Sequence, residues 1–369
     1  MFSMLCGAWP RVTSDGVDVA VLEAAVREGR AEPAELEDVT RRLVAEVIAA
    51  QVEAGMDLVT DGQIRWPDMS AAVLASLAAA RLAEDRPLVA AWTAASAGAP
   101  AGATVAQAVP GPYTLGRMAI EDAVAKSLEA GETPPSGDDL HRSRIDVTFA
   151  IASALAEEIE ALAAAGCPMV MVEEPDATRI GTDDRERVLF AGAGERLLAR
   201  ARGIHAMLVI TGGSAHEAGG STIFGAPWAS LLVDLIAGPD NWKLVREAPG
   251  DRGIVCAALA VRDDDLEVDH APELVWAAQY AASANGRGIA RVGLANAGSL
   301  SGRTPEQARR VLTELATASR YAAMPLSDAV EAGLDPRTIK DPRPIPDLEN
   351  RAARRRRARE VRKDGDPAG

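Results

Sequence analysis

The chain has 369 residues, 48% of them hydrophobic, and a formal net charge of −15. That is enough apolar chain to bury one large core or two ordinary ones. Three widely spaced cysteines, Cys6, Cys167 and Cys256, form no CxxC pair, which argues against a disulfide scaffold and for a reducing, cytoplasmic compartment.

The opening "MFSMLCGAWPRV" has no basic n-region, and no window reaches the roughly 18 to 20 apolar residues of a membrane span. Neither a secretory leader nor a membrane partner is expected. Charge is uneven: "RAARRRRAREVRK" at 351–363 is strongly basic, and the rest of the chain is acidic. An acidic body disfavours nucleic acid as a partner. The basic stretch is read as a solvated tail or a contact for an acidic partner, and a homo-oligomer is the other assembly considered.

Apolar or β-rich runs recur at 3–8, 57–60, 104–109, 169–172, 205–211, 231–236, 253–260 and 288–294. Helical patterns lie between them, as in "VDVAVLEAAVREG" and "ELEDVTRRLVAEVIAAQVEAG", where apolar residues recur at three and four. Gly55 and Gly166 are placed as helix C-caps. Thr304, Pro305 and Gln307 spell a capping box with proline at its first turn. The stretch 95–105 reads as a flexible loop, and 116–143, with "TPPSGDD", as a surface excursion. Eight strands alternating with helices predict an α/β fold, the (β/α)8 TIM barrel, over residues 1–330. Residues 331–369 form a proline-containing, basic tail. An open doubly wound sheet is the runner-up, but no GxGxxG follows the first strand.

Chemistry in such a barrel sits where strands hand over to loops. The first handover offers Trp9 and Arg11; the second, "TDGQIRWPDM", offers Asp61, Gln63, Arg65, Trp66 and Asp68. "GPYTLG" offers Tyr113 and Thr114, and "VMVEEPD" offers Glu173 and Glu174. Thr211 and His216 follow the fifth strand, and Asn296 and Ser299 the eighth. Adjacent strand residues face opposite ways, so one of Glu173 and Glu174 points into the mouth. Glu173, Glu174, Asp61 and His216 are the candidate acid–base residues. The tryptophans are candidate walls for a planar ligand, and the remaining residues are candidate substrate contacts. Structural roles compete throughout: loop ion pairs for the carboxylates and arginines, and packing for the tryptophans. Glu173 with Arg65 and Arg11 is the set expected to converge on a ligand.

These motifs together resemble the catalytic barrel of cobalamin-independent methionine synthase, within the wider superfamily that includes uroporphyrinogen decarboxylase. "CGAWPR" is similar to the family's opening "IGSFPR/Q", and "EVIAAQVEAGMDLVTDGQIRWPDM" to its "QEEAGLDVLVDGEFERNDM". "GPYTLG", "VMVEEPDA" and "VGLANAGSLSGRTPEQARRVLTEL" follow in the family's order. The resemblance implies methyl transfer from a methyl-folate, so 5-methyltetrahydrofolate is the cofactor considered, to a homocysteine thiol held on zinc. The zinc ligands implied are His-x-Cys after strand five, a glutamate after strand six and a cysteine after strand eight. Here Ile210, Thr211, Gly212 and Gly213 stand at the first place, Asp240 is the nearest acid at the second, and Ala297 stands at the third. The family's histidine after strand seven has no counterpart, and its "DGE" glutamate matches Gln63. A thiolate zinc site is therefore not expected. The expected function is a divergent enzyme for a small polar amino- or carboxylate-bearing substrate, with one-carbon transfer as the leading chemistry. The alternatives are a metal-independent lyase or decarboxylase, a non-catalytic binder, and zinc methyl transfer with His216, Glu217 and Asp240 as substitute ligands.

Overall fold

The computed structural model describes residues 1–133, 135–261 and 270–324. Among these residues, nine strand segments form one parallel sheet: β1 Phe2–Met4, β2 Leu58–Val59, β3 Thr104–Val105, β4 Gln107–Pro110, β5 Met169–Glu173, β6 His205–Ile210, β7 Ser230–Asp234, β8 Gly253–Ala260 and β9 Val292–Ala297. The segments β3 and β4 are two halves of one stave. The first pairs with β2 and the second with β5, and the Ala106 N–H between them donates to the Val59 carbonyl at 2.9 Å. With β1 paired to both β2 and β9, the eight staves close a ring, and helices surround it. This is the expected TIM barrel.

Two apolar clusters follow from strand alternation. Met4, Leu58, Met171, Met207, Val209, Leu232, Val255 and Ala295 fill the barrel interior. Val170, Val172, Leu208, Ile210, Leu231 and Val233 face the helices and join the larger outer cluster. The helix Pro33–Ala54 ends at Gly55 with φ 86°, and Gly137–Ala165 at Gly166 with φ 96°. The Gln307 N–H donates to Thr304 Oγ1 at 3.2 Å, and the Thr304 N–H to Gln307 Oε1 at 3.0 Å, completing the capping box.

Three expectations change. The stretch 116–143 is mostly helix, Pro112–Glu129 followed by Gly137–Ala165. Its acidic, proline-bearing middle is only the turn between them. The stretch 95–105 begins inside the helix Pro87–Gly98 and ends in β3, so only its middle is loop. The last strand begins at Val292 rather than 288, because Gly288 (φ 76°) opens a 3-10 turn, Ile289–Arg291. The compact unit of the fold spans Met1–Ala323. The expected tail at 331–369 lies outside the described residues.

Two buried polar residues finish the frame. The Gln51 carboxamide clasps Thr60, accepting its N–H at 3.0 Å and donating to its carbonyl at 2.8 Å, which fixes the chain leaving the two-residue β2. Arg287, 1% exposed, donates to the carbonyls of Val245, Ala248, Arg252 and Ala281, satisfying carbonyls at two helix C-termini.

Candidate functional site

Glu173 ends β5 in register with Pro110 and Val209. By alternation with Met169 and Met171 it faces the interior and crowns the barrel core. Gln63 Nε2 donates to Glu173 Oε1 at 2.7 Å. Burial, opposed by this hydrogen bond and helped by the Asp61 charge, pushes the Glu173 carboxyl up to about 7. Asp61 is 2% exposed. Its Oδ1 accepts the Gln63 N–H at 2.9 Å, and its Oδ2 is buried without a hydrogen-bond partner among the described residues. Burial raises its carboxyl as well, against the Gln63 N–H and the Arg65 charge. Thr211 directly follows the end of β6 and is half-buried.

Glu174 takes the opposite face. It is 2% exposed and accepts the N–H groups of Tyr113 (2.9 Å) and Thr114 (2.8 Å) and the Thr114 hydroxyl (2.7 Å). It therefore caps the helix Pro112–Glu129, where a carboxylate meets free N–H groups and the positive end of the helix dipole. Glu174 and Thr114 are thus bound to each other rather than open to a ligand.

Several other expected contacts are also turned elsewhere. Trp9 is buried in the outer core. Trp66 is half-buried and packs against the same core. Arg11 forks onto Glu23 and donates Nε to the Ile64 carbonyl at 3.0 Å. Arg65 pairs with Glu37 at 3.1 Å, so neither arginine closes on Glu173. Asp68 caps the helix Met69–Ala78 through the Ala71 N–H. Tyr113 lies edge-on to Phe190, donates to Glu186 at 2.5 Å and carries Arg144 over its ring at 4.8 Å. Asn296 is fully buried, accepting the Cys6 N–H at 3.0 Å and donating to the carbonyls of Cys6 and Gly298. Ser299 donates to the Ala8 carbonyl at 3.1 Å. Both residues tie the loop after β9 to the loop after β1. His216 Nε2 lies 3.1 Å from Lys243 Nζ, and Lys243 pairs with Asp240 at 3.2 Å. Among the described residues, His216, Glu217 and Asp240 are not placed together to hold a metal ion.

The signal for these pairings was weak in the chain. Arg11–Glu23 and Arg65–Glu37 join surface helices to rim loops at separations no local pattern specifies. Asp234, which sequence reasoning passed over, ends β7 and accepts N–H groups from Gly212, Ile236 and Ala237. An Asp two residues before a turn is the recognisable cue.

The residues do not fit a thiolate zinc. Among the described residues, no group of three or more His, Cys, Asp or Glu is placed to hold a metal ion. Cys6 is the one thiol near the mouth. Burial, then the charges of Glu173 and Asp234, hold that thiol far above its usual range, whereas a zinc ligand must be a thiolate.

The family model for the catalytic domain of cobalamin-independent synthase matches residues 3–201, more than half of the chain. No curated protein matches it. Among solved structures, a B12-independent methionine synthase from Shewanella sp. W3-18-1, in complex with selenomethionine, is similar with TM-score 0.62 and 14% identity, covering 89% of this chain and 98% of that one. A putative vitamin-B12 independent methionine synthase from Listeria monocytogenes gives TM-score 0.60 and 12% identity, covering 87% and 97%. A methyltransferase from Methanosarcina mazei gives 0.54 and 12%, covering 86% and 94%. At these identities the structural likeness establishes the fold.

Proposed function

The chain belongs to the cobalamin-independent synthase catalytic-domain family, and on that footing we propose that it is a divergent enzyme that binds a small amine-bearing substrate at the barrel mouth and transfers a one-carbon group without a thiolate zinc. The observation that carries this reading is the Asp61–Gln63–Glu173 cluster. Two carboxyl groups sit there, Asp61 keeps a buried oxygen free, and Arg11 and Arg65 are engaged elsewhere. A buried carboxylate oxygen without a partner is costly. A substrate ammonium offset between the two acids would supply donors. Glu173, near neutrality in its proton affinity, is suited to take a proton from such a group or return it. A thiol acceptor is disfavoured because, among the described residues, no group of three or more His, Cys, Asp or Glu is placed to hold a metal that would keep it a thiolate. A methyl-folate is the one-carbon donor considered.

Calorimetric titration with homocysteine, methionine and short primary amines tests the reading. The expected result is binding of an amine-bearing compound to the wild type. Glu173→Gln should weaken it by about tenfold or more with the fold retained. Absence of binding by any of them, or unchanged affinity in Glu173→Gln, removes the assignment. Release of carbon dioxide from a bound amino acid would point to the decarboxylase alternative instead.

A further inference from the structure

Gly62 and Gln63 are consecutive left-handed residues, with φ of 64° and 57°. Glycine is required at the first. A Cβ there would meet Trp9 Cβ at 2.8 Å and Val47 Cγ1 at 2.9 Å. At the second, a side chain is carried in a region that non-glycine residues rarely adopt. This turn delivers the Gln63 carboxamide to Glu173. What holds it on the mouth side is Asp61, whose Oδ1 receives the Gln63 N–H.

We propose that Asp61 is the positioning residue of the mouth: through the backbone of Gln63 it fixes the amide that holds Glu173, and it brings a second acid into the same cluster. The proposal rests on Glu173 being the working group of the site. Asp234, which ends β7 with the parity of the interior-facing Leu232, shares the barrel interior with Glu173, and both charges act on the Cys6 thiol. Asp61 and Gln63 come from the turn after β2, and the neutral thiol of Cys6 from the end of β1. Pro110 and Val209 flank it in register on β4 and β6. Arg65 acts on Asp61 and favours its charged form. Burial acts the other way and raises the Asp61 carboxyl overall, so Asp61 opposes ionisation of Glu173 only in its own ionised form.

The test reads two nuclear magnetic resonance signals in protein labelled at glutamate carboxyl carbons and at glutamine amides. Glu173 is assigned by its loss in Glu173→Gln. Asp61→Asn keeps an acceptor for the Gln63 N–H but removes the charge. The Glu173 midpoint is expected to fall by about one pH unit, the size of a like-charge effect at a few ångströms, while the Gln63 side-chain amide signal stays in place. Asp61→Ala removes acceptor and charge together, and that amide signal is expected to lose its hydrogen-bonded shift. A Glu173 midpoint unmoved in Asp61→Asn, or a Gln63 amide signal unmoved in Asp61→Ala, overturns the proposal. If Asp61→Ala does not fold, the midpoint in Asp61→Asn decides alone. Both shifts appearing in a protein that binds none of the amines would uphold the positioning role and remove the functional reading above.

Discussion

A Cβ on Gly111 would lie 2.0 Å from Cδ of Glu174. The contact explains a glycine whose backbone needs none. Its φ of −77° is open to any residue; what excludes a side chain is the buried carboxylate seated on the next helix turn.

Gly111→Ala is therefore expected to expel Glu174 from its cap. Overpacking adds to the cost of leaving the Tyr113 and Thr114 donors unpaired, for a loss of about 2–4 kcal/mol. Chemical denaturation measures it. A change below about 0.5 kcal/mol would mean that the cap relaxes freely and that Glu174 is not the clasp described.

Glu173 gives the protein a pH signature. Its folded carboxyl is raised from 4.5 to about 7, so the native state binds a proton that the unfolded chain has released. Its contribution makes stability fall as pH rises from about 4.5 to about 7, and level off above. Glu173→Gln removes that slope. The variant should be more stable than wild type by about 3 kcal/mol at pH 8, and the difference should vanish below about pH 4.5. Thermal unfolding in parallel at pH 4.5 and pH 8 checks the sign. A variant that is less stable at pH 8 would show that the ionised carboxylate is held by donors rather than penalised by burial.

The frame was legible because buried parallel strands are short apolar runs, and seven of the eight lie within a few residues of their expected places. The opposite orientations of Glu173 and Glu174 were legible too, since strand parity fixes them. The fate of the arginines was not. A guanidinium at a rim reaches several ångströms in any direction, and only the tertiary position of the Glu23 and Glu37 helices decides where it lands. Tyr113 and Thr114 misled for a related reason. A "GPYT" handover puts them at a helix N-terminus, and whether that end meets a ligand or a protein carboxylate depends on Glu174, sixty residues away. The strand at 288–294 was misplaced because "GIA" is as apolar as a strand start, while the positive φ of Gly288 belongs to a turn.

Gln63 allows the strain at the site to be separated from its hydrogen bond. Gln63→Ala and Gln63→Gly both delete the amide that reaches Glu173, so both lose that interaction and both should raise the Glu173 midpoint above its wild-type value. They differ at the backbone. Alanine at φ 57° keeps the left-handed penalty of about 1–2 kcal/mol, whereas glycine escapes it and gives back part through its greater freedom when unfolded. Gln63→Gly should therefore be more stable than Gln63→Ala by about 1 kcal/mol, read from paired denaturation curves. Equal stability would place Gln63 in an unstrained backbone. Then the hydrogen bond to Glu173 would have no conformational cost to offset, and the turn would be held by Gly62 alone.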